Sequence, residues 1–237
     1  MIRIFLILVV LFLWGCEREP VTEGNTPTPR TVSTPEQKAQ TLAAVGDSLT
    51  EGLGVETEMA YPAQLEARLK AEGLEWDVIN SGVSGETSSG ALTRLDWVLK
   101  TQPDAVLLVT GANDGLRGLD PALTQKNLDA LVTRLKEKNI KVMLGGMKAP
   151  PNLGSDYTEK FESIYLTVAE KHNVPLIPFF LEGVAKQPAL NLEDGKHPNS
   201  DGYKVIVDRI FEPVADWLKA SDQTSQGSLR PRSSAWS

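Results

Sequence analysis

Short apolar runs alternate along this chain with longer stretches whose apolar residues recur every three or four positions. The runs at 41–45, 76–80, 105–109, 141–145 and 174–177 read as buried strands. Between them, 62–72, 88–100, 121–138 and 156–171 carry helical spacing, and 199–219 adds a last helix. Leu123, Leu128, Leu131 and Leu135 trace one apolar stripe, behind Asp120 as an N-cap and Pro121 in the first turn. Five strands joined by helical crossovers predict a three-layer α/β/α domain, with a five-stranded parallel sheet covered on both faces. The crossovers should be right-handed, and a site should lie beyond the carboxyl ends of the strands, near the topological switch point. No internal repeat interrupts the pattern.

The flanks differ. Residues 4–13 form an unbroken apolar run behind Arg3, too short to span a bilayer and suited to a signal-peptide core. Leu13-Trp14-Gly15-Cys16 resembles a bacterial lipoprotein box, with Trp14 where a small residue is usual. That reading makes 1–15 a signal peptide and Cys16 a lipidated N-terminus. It places the protein outside the cytoplasm, anchored to a bacterial membrane in the periplasm or at the cell surface. The plainer alternative is an ordinary signal or uncleaved anchor with an incidental cysteine. Residues 16–40, rich in Thr, Pro, Glu and Gln, bury too little to fold alone and read as a flexible tether. Residues 221–237 read as a disordered tail, which leaves 41–220 as the folded domain.

Composition is that of an ordinary globular protein, 41% hydrophobic and 23% charged. A net charge of -7 argues against nucleic-acid binding. One Cys and two His exclude an internal disulfide framework and offer no zinc or iron–sulfur ligand set. No metal or organic cofactor is implied.

The polar chemistry collects where strands end. The first strand runs into Gly46-Asp47-Ser48-Leu49, the second into Asn80-Ser81-Gly82-Val83-Ser84-Gly85-Glu86-Thr87, the third into Thr110-Gly111-Ala112-Asn113-Asp114-Gly115-Leu116-Arg117-Gly118. All three should meet at one sheet edge, to which Asp194-Gly195-Lys196-His197 can return. Ser48 on a glycine-started turn is a candidate nucleophile or a plain helix cap. His197, held extended by Pro198, is a candidate general base or a surface histidine. Asp194 is a candidate partner for the other ring nitrogen or an Asx-turn residue, with Glu193 as the fallback carboxylate. His172 reads as a solvated, dipole-compensating residue at a helix end, and Asp47 as a turn-ordering residue. Trp76, Trp97 and Trp217 read as apolar anchors. Arg117 either contacts substrate or holds its loop. No Gly-x-Ser-x-Gly elbow, Ser-x-x-Lys, phosphate loop or His-Glu-x-x-His helix is present.

Gly-Asp-Ser-Leu, Ser-Gly-Glu-Thr-Ser, Gly-Ala-Asn-Asp-Gly-Leu-Arg-Gly, Val-Pro-Leu-Ile-Pro-Phe-Phe and Asp-Gly-Lys-His-Pro-Asn occur here in order. In these blocks 41–220 resembles the GDSL, or SGNH, hydrolases, in particular the branch of bacterial thioesterases, lysophospholipases and arylesterases. The resemblance implies a flavodoxin-like fold and a Ser48–His197–Asp194 triad. It also implies an oxyanion hole built from the Ser48 and Gly82 N–H groups and the Asn113 amide; without it, Gly82 and Asn113 read equally well as turn residues. Lys196 departs from the aliphatic residue usual there, which should alter packing beside the histidine more than the chemistry. The expected activity is serine esterase or thioesterase, acting through an acyl-enzyme on aryl esters, acyl thioesters or lysophospholipids. The alternatives are a polysaccharide or peptidoglycan O-acetyl esterase with the same triad, and a non-catalytic surface binding lipoprotein. Acyl preference should rest on loops around Ser48 and at 116–119 and 149–155.

Overall fold

A computed structural model describes residues 39–227. The signal peptide, Cys16, the tether up to residue 38 and residues 228–237 lie outside the described residues. In chain order the elements are β1 (Gln40–Gly46), α1 (Ser48–Glu51), α2 (Tyr61–Ala71), β2 (Trp76–Gly82), α3 (Ser88–Leu99) and β3 (Ala105–Val109). There follow α4 (Ala112–Leu116), α5 (Pro121–Glu137), β4 (Lys141–Gly145), α6 (Ser155–His172), β5 (Leu176–Ile177) and α7 (Ser200–Gly227). The last helix thus continues into the segment expected as a tail from 221.

The sheet is five-stranded, ordered β2-β1-β3-β4-β5, with every pair parallel. The chain steps from β1 to β2 in one direction and returns past β1 to β3 in the other. With right-handed crossovers this puts α2 and α3 on opposite faces. Contacts agree: α2 packs on α7, while α3 packs on α5 and α5 on α6. The switch point lies between β1 and β3. Residues 42–45 and 105–109 are almost wholly buried, as central strands covered on both faces must be. Trp76 and Tyr61 are the largest side chains of this core.

Local chemistry accounts for the boundaries. Asp120 caps α5 by accepting from the Ala122 N–H at 2.9 Å, with Pro121 in the first turn. Leu128, Leu131 and Leu135 face the core, but Leu123 is exposed, because the buried stripe of α5 starts one residue on, at Thr124, and Leu123 falls outside it. β5 shrinks to two residues because Pro175 and Pro178 bracket it, and neither has an N–H for the ladder. The short helices α1 and α4 begin directly beyond the carboxyl ends of β1 and β3. Neither is long enough to show a period in sequence.

Candidate active site

The switch point makes the site. β1 delivers Ser48 into the first position of α1, where Asp47 is the N-cap and accepts from the Leu49 N–H at 3.0 Å. Asp47 is fully buried, and burial pushes its carboxyl up to about 6, against the pull of the Leu49 N–H, the nearby His197 and the Asn113 amide. α7 fastens this turn from below, since Tyr203 Oη donates to the Leu49 carbonyl at 3.0 Å.

His197 arrives on a loop stitched to itself. Asn191 bridges Pro198, the Leu192 N–H donates to the His197 carbonyl at 2.8 Å, and the Gly195 N–H donates to Leu192 O at 2.9 Å. One oxygen of Asp194 accepts from the Lys196 and His197 N–H groups at 2.9 and 3.0 Å. Its other oxygen lies 2.5 Å from His197 Nδ1. These bonds, the ring's first and the two amides next, hold the Asp194 carboxyl far below the usual carboxylate range. Asp194 is therefore ionised and can only accept, so Nδ1 carries the proton and Nε2 presents its lone pair. That lone pair faces Ser48 Oγ at 2.8 Å. Ser48, His197 and Asp194 form one continuous hydrogen-bonded chain. Glu193 makes no contact with the ring among the described residues.

Asn113 stands at the start of α4, off β3. Its Nδ2 donates to Glu86 O at 3.0 Å and, less closely, to Asp47 Oδ2 at 3.3 Å. Gly82 does not serve as expected. Its N–H donates to Asn80 Oδ1 at 3.0 Å, so it is not free for an oxyanion. A Cβ there would sit 2.1 Å from the Glu51 backbone nitrogen, so Gly82 is the close-approach glycine that seats α1 against the end of β2. The open amide lies three residues on. Val83–Glu86 is a tight turn closed by the Glu86 N–H to Val83 O at 3.1 Å, with Gly85 at φ 75°. Neither the Gly85 nor the Ser48 N–H has an acceptor among the described residues. Asn113 clips this turn through Glu86 O and reaches Asp47, the residue before Ser48.

Positioning residues that sequence reading missed surround these donors. Arg94 on α3 bonds both oxygens of Glu86 at 2.5 and 2.7 Å and donates to Ser81 O at 2.7 Å and Gly46 O at 3.2 Å. Buried Asp114 accepts from the Ser88 N–H and hydroxyl at 2.8 and 2.5 Å and from Thr124 Oγ1 at 3.1 Å, tying the third loop to α3 and α5. Arg117 holds its loop by donating to Gly85 O at 2.8 Å. An Arg spaced eight residues after a Glu at a strand end was the only signal for the first clamp. His172 is not a solvated end group: it is largely buried and pairs with Asp129 at 2.7 Å between α5 and α6. Trp97 is exposed, with the Lys100 ammonium 4.0 Å above its ring.

A cavity of about 790 Å³ opens from Ser48, Asn113 and His197. Leu116, Met147, Ala149, Pro150, Phe179 and Leu181 form its apolar wall. Of the loops expected to set preference, 116 and 149–151 line it; the 179–187 segment, not expected to do so from sequence, lines it too. This arrangement can take up an acyl chain, attack its carbonyl with a hydroxyl and hold the resulting oxyanion.

Residues 44–205 match the GDSL-like lipase/acylhydrolase family. The chain is similar to the esterase TesA of Pseudomonas aeruginosa, 42% identical over 186 residues that cover 78% of this chain and 92% of that protein. It is similar to thioesterase 1/protease 1/lysophospholipase L1 of Escherichia coli K12, 39% identical over 171 residues, covering 72% of this chain and 81% of that protein. Among solved structures, the psychrotrophic esterase EstA from Pseudoalteromonas, inhibited by monoethylphosphonate, has a TM-score of 0.72 at 35% identity and covers 76% of this chain and 99% of that one.

Proposed function

The chain belongs to the GDSL-like lipase/acylhydrolase family and is an acyl-ester hydrolase, and on that premise we propose how its residues perform the reaction. Ser48 Oγ attacks the acyl carbonyl while His197 Nε2 takes its proton. Asp194 holds the ring in the Nδ1–H tautomer and stabilises the imidazolium that forms. The N–H groups of Ser48 and Gly85 and the Asn113 amide receive the oxyanion. The Asn113 hydrogen available for this is the one aimed at Asp47, the longer of its two contacts. Collapse of the tetrahedral species transfers the proton from His197 to the leaving group and leaves an acyl-enzyme. Water, deprotonated by His197, repeats the cycle and frees the acid.

The observation that carries this reading is the unbroken chain from Ser48 Oγ through both nitrogens of His197 to Asp194. The test is hydrolysis of p-nitrophenyl esters and acyl thioesters by the full chain and by Ser48→Ala. The variant should lose at least about 10³-fold in kcat/KM, since the nucleophile acts in both half-reactions. Wild-type rates in Ser48→Ala would refute the mechanism. An acetyl group alone would leave the wall formed by Leu116, Met147, Phe179 and Leu181 unfilled, which favours a longer acyl chain over polysaccharide deacetylation. Thioesters and lysophospholipids enter the proposal because the similar Escherichia coli protein is named for both activities.

The apolar run at 4–13 and the position of Cys16 support export and lipid anchoring, with 16–40 as tether and 41–220 as the hydrolase domain. Labelled palmitate should enter the wild type and not Cys16→Ala; equal labelling of both would rule the anchor out.

A further inference from the structure

The site has two sides, and its proton chemistry tells them apart. In the mechanism proposed above, on which this inference rests, His197 delivers a proton to the departing atom of the leaving group. The leaving group must therefore lie against the wall that carries His197. The apolar wall of Leu116, Met147 and Phe179 is left for the acyl chain.

That His197 wall carries positive charge. Lys196 precedes His197 in the same loop and lines the cavity. Lys186 lines it as well, and belongs to the same wall through Asn191. The Asn191 side chain donates to the Val184 and Gln187 carbonyls at 2.7 and 2.8 Å, and Asn191 itself bridges Pro198 beside His197. Lys186 is held at φ 63°, a region that a long side chain seldom adopts and that persists only where surrounding bonds impose it. Neither lysine has an ion-pair partner among the described residues, and both are exposed. Of the acids just before Lys196, Glu193 and Asp194 do not line the cavity, and Asp194 is engaged with His197. Three carboxylates also line the cavity: Asp47 beside Ser48, Glu182 four residues before Lys186, which offsets part of that lysine's charge, and Glu162 on α6, next to the Phe161 that packs on Gly115. Glu182 lies in the segment joined to the end of β4 by the Phe180 N–H to Gly146 O. Lys148, at that same end, sits 4.9 Å from the Phe179 ring centroid, over the acyl wall.

We propose that Lys196, with Lys186 beside it, selects esters and thioesters whose leaving group carries a phosphate or sulfonate anion. The leaving alcohol or thiol takes its proton from His197 while its anionic group rests against the two ammonium groups. These lysines touch the part of the substrate that departs, and they act on specificity rather than on bond cleavage.

The experiment compares the full chain with Lys196→Gln, Lys186→Gln and Lys196→Arg on two butyrate esters, of 4-hydroxybenzenesulfonate and of 4-nitrophenol. The reading is the ratio of their kcat/KM values, which cancels any general damage to the site. Lys196→Gln should lower the anionic-to-neutral ratio about three- to fivefold, the worth of one solvent-exposed ion pair. Lys186→Gln should lower it less, Lys196→Arg should keep it, and 1 M NaCl should narrow it in the wild type. A ratio that stays constant across the variants, or one that falls equally in Lys196→Arg, overturns the proposal. Failure of the underlying mechanism looks different: Ser48→Ala would then hydrolyse both esters at the wild-type rate. Acyl glycerophosphate and the acyl thioester of a phosphorylated thiol, run as further arms, show which of the two anionic leaving groups is preferred.

Discussion

Replacing Asp47 with Asn should make the protein more stable at neutral pH while making it a worse enzyme. Asp47 has no exposed surface, and burial pushes its carboxyl to about 6 from an ordinary value of 3.8. A carboxyl whose folded value is raised binds its proton more tightly when folded. Its contribution to stability is complete below pH 3.8 and is lost as pH rises through 6. The interval between those two values, at about 1.36 kcal/mol per pH unit, amounts to ~3 kcal/mol. The substituted amide would keep an oxygen for the Leu49 N–H but would not titrate. Urea unfolding of wild type and Asp47→Asn at pH 4, 5, 6 and 7.5 should therefore show a widening gap in favour of the variant. Between pH 4 and 7.5 the gap should grow by about 2–3 kcal/mol, or roughly 4–12 °C in Tm for a domain of this size. Over the same range kcat should fall in the variant, because a carboxylate near His197 no longer supports the imidazolium and Asn113 loses an ionised acceptor. A stability difference that stays flat with pH would refute the assignment of burial as the dominant influence on Asp47.

Two further substitutions probe the scaffold behind the donors. Gly82→Ala places a Cβ 2.1 Å from the Glu51 backbone nitrogen and 2.6 Å from its Cα, so backbone must move. The expected loss is about 1–3 kcal/mol by chemical denaturation, typical of overpacking, and unchanged stability would refute the close-approach role. Glu86→Ala removes the partner of Arg94 from a pair in which the Glu side chain is 6% exposed. It should cost about 3 kcal/mol, chiefly by leaving a largely buried guanidinium unpaired, and Arg94→Met in the same background should recover part of that in the same assay.

Asp194 and His197 were legible together because three residues of chain and one turn suffice to bring a carboxylate to a ring. Ser48 was legible as a candidate, but its partner lies 149 residues away, and only the sheet brings the two together. The second oxyanion donor shows the limit most clearly. Gly82 and Gly85 stand in the same glycine-bearing segment, and their letters are equivalent. Their amides differ only because Gly82 still belongs to β2, with Asn80 turned back on it, while Gly85 sits in a turn with left-handed φ.

The periods of apolar residues by themselves determined the strands, the longer helices and hence a parallel sheet with helices on both faces. Those features follow from local burial, which a side chain reports at its own position. They also determined which edge would hold the chemistry, since three long polar, glycine-bearing segments each followed a strand. Tertiary structure alone decided that the switch point falls between β1 and β3, that Arg94 and Glu86 lock the second loop, and that the 179–187 segment walls the cavity. It also brought Lys186 and Lys196 to the cavity that His197 lines. Direction of an amide, partner of a buried charge and face of a cavity depend on which distant segments pack together, and no single stretch of chain encodes that.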